Sequence, residues 1–262
     1  MEKETYTYSD TMGKSSNPSI KGMSKYVVGT DNAKALNLAT YAGVGWKILI
    51  YCLMAVVSGV LSAVLLINTS SNLLIGLLIG APLIALVCGI VASLSPRVTA
   101  IFGSIYCIMY GLLIGAISAI LEAEFGGIAL SALLCTVVIT GVMAVLYYSG
   151  TVRVGSKFRK FVFGAILAII VSQLLFLVLS FAVPGLFAFY FDSFWLQLII
   201  CVAITLIAAI TLLIDFDNIT RLVEAGVEKK LEWRAAFGLM VTLIWLYLQI
   251  LRILLIIFSK RR

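Results

Sequence analysis

The chain has 262 residues, 62% of them hydrophobic and only 12% charged, with a formal net charge of +7 and a mean hydropathy of +1.13. No water-soluble core needs so much apolar surface, so a soluble domain is excluded and a polytopic membrane protein is expected. Histidine is absent, which removes His-based triads, His-ligated metal sites and the usual side chain for sensing pH near neutrality.

Residues 1–46 are polar, without an apolar core near Met1, so no cleavable signal is expected and the first span inserts the protein itself. The leader to about Asn37 has too little apolar area to fold and is expected to be disordered. The chain thus divides into a polar tail, 1–40, and a membrane domain, 41–262. Runs of about 20 apolar residues, enough to cross about 30 Å of hydrocarbon as helix, fall at 47–67, 73–94, 98–121, 126–148, 160–182, 194–216 and 235–258. Continuous runs, rather than alternating polarity, exclude an outer-membrane barrel. The fold class expected is all-α with seven transmembrane helices.

Within these spans, Gly76-Leu-Leu-Ile-Gly80 and Gly111-Leu-Leu-Ile-Gly115 place small residues four apart, the spacing that lets helix backbones approach closely in a bilayer. Cys52, Cys88, Cys107, Cys135 and Cys201 all fall inside spans without close pair spacing, so they read as small packing residues rather than disulfides or metal ligands. Lys and Arg set the orientation. They crowd the leader, the loop after span two (Arg97), the loop after span four (Arg153, Lys157, Arg159, Lys160) and the loop after span six (Arg221, Lys229, Lys230, Arg234). The loops after spans one, three and five hold only Glu122, Glu124 and Asp192. A cytoplasmic N-terminus follows, with Lys260, Arg261 and Arg262 outside against the rule. Cations dispersed in this way need no nucleic-acid partner. Glu122 and Glu124 read either as solvated loop charges or as a means of concentrating cations at an outer mouth.

Span six ends in Leu213-Ile214-Asp215-Phe216-Asp217-Asn218-Ile219. An ionisable group so close to hydrocarbon is costly unless paired, watered or protonated, which makes this the candidate functional segment; the bland alternative is that both acids simply end the span. Residues two apart on a helix point about 200° from each other, so only one of Asp215 and Asp217 can face the bundle. Asp217 stands four before Arg221, ion-pair spacing, whereas Asp215 lies deeper with no local cation and is the favoured functional group. Arg252 reads as a side chain that snorkels outward in preference to a gate. Residues 221–234 alternate apolar and charged side chains as a short helix in the headgroup region would, with Trp233 as its anchor. Tyr41, Trp46, Tyr190 and Trp195 fall where spans meet water.

The carboxyl-terminal stretch from Leu212 through Asp215-Phe216-Asp217-Asn218, then Glu232-Trp233-Arg234, Phe237-Gly238, Thr242, Trp245, Tyr247, Gln249 and Arg252, resembles the Bax inhibitor family, in particular its bacterial branch. The match extends upstream to Tyr106 through Ser118, Gly127-Ile128, and Tyr147 through Arg159, covering about residue 40 to the end. The resemblance implies a seven-helix fold with the last helix near the bundle axis and a pH-sensitive calcium leak of the cell membrane. In some members a pair of acids on helices six and seven controls that leak. The position of the second acid is occupied here by Gln249, which cannot titrate but can donate its amide hydrogen to a carboxylate. A hydrogen bond from Gln249 to Asp215 or Asp217, with a weakened pH response, is therefore expected, with Arg252, Arg221 and Glu232 in support. Gln249 lies about 20 Å into span seven at 1.5 Å per residue, so contact requires span six to continue past Val223 or span seven to start near Lys230.

Calcium takes six to eight oxygen ligands, and two carboxylates with a few amide and backbone oxygens imply weak binding, as a leak needs. No cofactor or resident metal is expected; the partners are the bilayer and calcium ions or protons, and the chain is a monomer or weak oligomer. Enzymatic readings fare worse, because an aspartyl intramembrane protease needs a second intramembrane Asp and a retinal pigment needs a lysine in span seven. The competing reading is a non-transporting bundle that binds and regulates another membrane protein, such as a protease.

Overall fold

The computed structural model describes residues 38–68, 71–183 and 185–260. The disordered tail expected before residue 38 lies outside the described residues. These residues form α1 (Tyr41–Asn68), α2 (Ser71–Leu94), α3 (Thr99–Glu124), α4 (Ile128–Tyr148), α5 (Ser156–Ala182), the short α6 (Leu186–Asp192), α7 (Phe194–Glu224) and α8 (Leu231–Lys260). Among them α1, α3, α4, α5, α7 and α8 are long and apolar enough to cross a membrane, and the apolar part of α2, Leu78–Leu94, is shorter. The protein is an all-helical, polytopic membrane protein. Its apolar side chains point outward as well as inward: Leu53, Val60, Leu133, Val137, Leu174 and Val178 are exposed, the pattern of helices solvated by lipid.

Helix α8 packs against α1, α3, α4 and α7, and its buried residues run from Leu231 to Ile256. Helix α5 is its opposite: it packs on α6 and α7, and Val162 is its buried residue. The tightest contact joins α1 to α3. A Cβ on Gly115 would strike the Gly59 carbonyl, and one on Gly111 would lie 2.9 Å from the Ala55 Cα. The close-approach reading of Gly111 and Gly115 therefore holds, whereas a Cβ added to Gly76 or Gly80 would meet nothing within 4 Å. Identical pentapeptides behave differently because only one is placed against a backbone.

The interfacial helix expected at 221–234 does not form. Helix α7 runs on to Glu224, Gly226 adopts φ 58°, and α8 begins at Leu231. A left-handed residue carries no Cβ penalty when it is glycine, so the chain turns there; Arg221 and Glu224 fall in α7, Glu232 and Arg234 in α8, and Glu228, Lys229 and Lys230 stay in the turn. Trp233 accordingly packs edge-on against Tyr51, with ring centroids 5.4 Å apart, instead of anchoring a separate helix. The same turn holds the chain entering α1: Leu38 bridges Glu228 and the Ala39 N–H donates to the Val227 carbonyl at 2.8 Å.

Tyr41, Trp46 and Trp195 are exposed near helix ends, while Tyr190 is half-buried. The five cysteines are free thiols, with Cys88, Cys107 and Cys201 buried.

Candidate functional site

Among the described residues three polar clusters interrupt the apolar bundle, and two of them lie at the end where α1 and α8 begin and α7 finishes, the end rich in Lys and Arg. In the first, Glu232 in the opening turn of α8 is completely buried. One carboxylate oxygen takes the Lys47 ammonium; the other accepts the Thr40 N–H at 2.8 Å and the Thr40 hydroxyl at 3.4 Å. Thr40 in turn accepts the Gly43 N–H at 3.0 Å and so caps α1. Gly43 has no room for a Cβ because the Glu232 carboxylate occupies that space. Lys47 also lies 5.3 Å from the Trp233 ring, within cation–π range. Lys47 counts as a leader charge in the sequence; α1 starts six residues earlier and carries it inside.

The second cluster surrounds Asp217, which is 7% exposed. Its Oδ2 receives Arg159 from α5 and the Arg221 Nε at 2.8 Å, and its Oδ1 accepts the Tyr147 hydroxyl of α4 at 3.3 Å. Arg159 extends its other arm to the Asn218 Oδ1 at 2.8 Å. The ion pair with Arg221 has the spacing read in the sequence; Arg159 and Tyr147 are additions from 58 and 70 positions away. Arg159 carried no local signal beyond a loop charge. A polar crevice of about 500 Å³ reaches this cluster past Tyr41, Tyr148, Arg153 and Glu224.

Asp215 lies two residues deeper, on the other side of α7. Thr242 of α8 stands beside its carboxylate, and a Cβ on Gly238 would be 4.0 Å from its Oδ1. Although the residue as a whole is half-buried, its Oδ2 is out of solvent and meets no hydrogen-bond partner among the described residues. An oxygen in that position retains its full capacity to bind a proton or a cation.

Gln249 does not join the aspartates. The Cys201 thiol lies 3.7 Å from both its backbone carbonyl and its Oε1. Helices α7 and α8 do extend as far as direct contact would require, but they run antiparallel, and register decides the outcome. Asp215 meets Gly238 and Thr242, and Gln249 is about 10 Å farther along α8 than Thr242 at 1.5 Å per residue. The expected hydrogen bond from Gln249 to an aspartate is thus replaced by a contact with Cys201. Arg252 belongs to this third cluster: its Nη2 donates to the Tyr190 hydroxyl at 2.9 Å, so it is held by α6 and does not simply snorkel.

Among the described residues no group of three His, Cys, Asp or Glu side chains is placed to hold a metal ion. What the arrangement offers is a crevice lined by Asp217, whose carboxylate two arginines hold, with a second carboxylate on the other side of α7. A family model described as Bax inhibitor 1 like matches residues 3–259. No curated protein matches the chain.

Proposed function

The chain belongs to the Bax inhibitor 1 like family, and from that premise we propose that it is a calcium leak of the cell membrane, with seven spans and a cytoplasmic N-terminus, controlled by Asp215 and Asp217. The role is transport without catalysis. The observation that carries this reading is the Asp215 Oδ2, buried in a membrane helix without a hydrogen-bond partner among the described residues. A carboxylate oxygen left without a partner in a membrane helix is costly to keep and marks ion or proton pathways. Two carboxylates supply fewer oxygens than the six to eight that calcium prefers, which suits an ion in passage.

In this reading Arg159 and Arg221 close the cytoplasmic crevice by holding Asp217. Loss of the Asp217 charge, as in Asp217→Asn, removes what attracts both arginines, and α5, which packs on α6 and α7 alone among the stronger contacts, is the helix free to move. Release of Arg159 then opens a route from the crevice to Asp215. Gln249, in contact with Cys201, lies outside this gate.

Calcium entry into proteoliposomes at several pH values tests the proposal. Asp215→Asn is expected to reduce flux to the level of empty liposomes, and unchanged flux in this variant overturns the role of Asp215. Wild-type protein that conducts at no pH overturns the leak itself and favours the non-transporting, partner-binding reading. The gate makes its own prediction: Arg159→Ala removes a charge-assisted bond of about 1.5–3 kcal/mol from the closed form. Flux near neutral pH should rise about tenfold or more, and flux equal to wild type would show that Arg159 does not hold the crevice shut.

A further inference from the structure

On the other side of α8 a groove of about 650 Å³ is lined by α1, α3, α4 and α8. Met240, Leu243, Ile244 and Tyr247 form its α8 wall, the face turned away from Gly238 and Thr242. Its rim residues Val56, Val60, Leu130 and Val137 are exposed, so it opens sideways to lipid. We propose that this groove holds one acyl chain of a phospholipid with an ammonium headgroup, the headgroup resting at Glu122.

Length, polarity and charge each support that occupant. Along α3 the groove runs from Gly111 to Glu122, about 16 Å at 1.5 Å per residue, or half of a hydrocarbon core about 30 Å thick. That is the depth of one leaflet. Over most of this length the lining is apolar, and the hydroxyls of Thr136 and Thr140 are turned back onto the carbonyls of Ala132 and Thr136 in their own helix. Polar groups that face each other appear only near the far end, where the Ser118 and Tyr247 hydroxyls lie 2.9 Å apart, one turn before Glu122.

Glu122 gives the mouth its sign. Its carboxylate accepts the Gly127 N–H at 2.5 Å and the Ala129 N–H at 3.1 Å, leaving further lone-pair sites for a donor. The α4 N-terminus offsets only about half a unit of its charge. Among the described residues no Lys or Arg lines the groove, and none occurs in the sequence from 98 to 152. A cationic ammonium is therefore attracted there, and a headgroup with net negative charge is repelled.

Native mass spectrometry of full-length protein taken from vesicles of equal parts phosphatidylethanolamine and phosphatidylglycerol tests this. One retained lipid per chain is expected, with the ethanolamine lipid favoured about threefold, the scale of one exposed ion pair. Ala119→Phe or Ala63→Phe, each placing a ring in the groove, should release it, two positions guarding against one variant failing to fold. Glu122→Gln should keep a lipid but lose the headgroup preference. The proposal is overturned if wild type retains no lipid or shows no headgroup preference. It also fails if both folded groove variants retain the lipid, or if the retained species is a second copy of the chain or an apolar molecule without a headgroup.

Discussion

Glu232→Leu is expected to lower stability by about 3–5 kcal/mol, the usual cost of removing one member of a buried ion pair. Glu232 is fully buried and Lys47 nearly so. Without the carboxylate, the buried ammonium of Lys47 is left with the Gly43 carbonyl at 3.5 Å, and the Thr40 N–H loses its acceptor. The penalty comes mainly from the stranded charge, and this makes a second result decisive. Lys47→Met combined with Glu232→Leu replaces the pair with apolar groups of similar length, an exchange that is often neutral. The double variant should recover most of the loss. Unfolding in detergent, followed by temperature and by denaturant, measures both. A single variant as stable as wild type, or a double variant no better than the single, would show that the pair does not fasten α8 to α1.

Gly115→Leu should be at least as damaging, because its Cβ would run into backbone and not into a flexible side chain. The Gly59 Cα lies 2.6 Å from the position of that Cβ. Backbones of two packed helices cannot yield locally, so α1 and α3 must separate, with a cost of about 3 kcal/mol or more. Gly80→Leu is the control. It occupies the same place in the same pentapeptide, but nothing lies within 4 Å of its Cβ. Relief from glycine's poor helix propensity, about 1 kcal/mol, should leave it neutral or slightly stabilised. Equal losses in the two variants would mean that the motif, and not its placement, sets the requirement.

Six of the seven spans expected are matched by helices long and apolar enough to cross a membrane, and they were readable because crossing hydrocarbon requires an unbroken apolar run, a property of consecutive residues. Their ends were less so: α1 begins at Tyr41, α7 ends at Glu224 and α8 begins at Leu231, all beyond the apolar runs, because a helix continues into the headgroup region wherever neighbouring charges find partners. Asp217 and Glu232 are polar residues absorbed into helices in this way.

The sequence by itself determined an all-helical membrane protein, the Asp217 to Arg221 pair one turn apart, the acidic segment at the end of the sixth apolar run and the resemblance to the Bax inhibitor family. Those rest on spacing within one helix or on composition. Only the tertiary structure decided that Arg159 and Tyr147 close on Asp217, that Glu232 reaches Lys47, that Asp215 faces Thr242 and that Gln249 meets Cys201. Each of these depends on how far one helix slides and turns against another, and that register is fixed by packing over the whole interface. No single stretch of the chain encodes it.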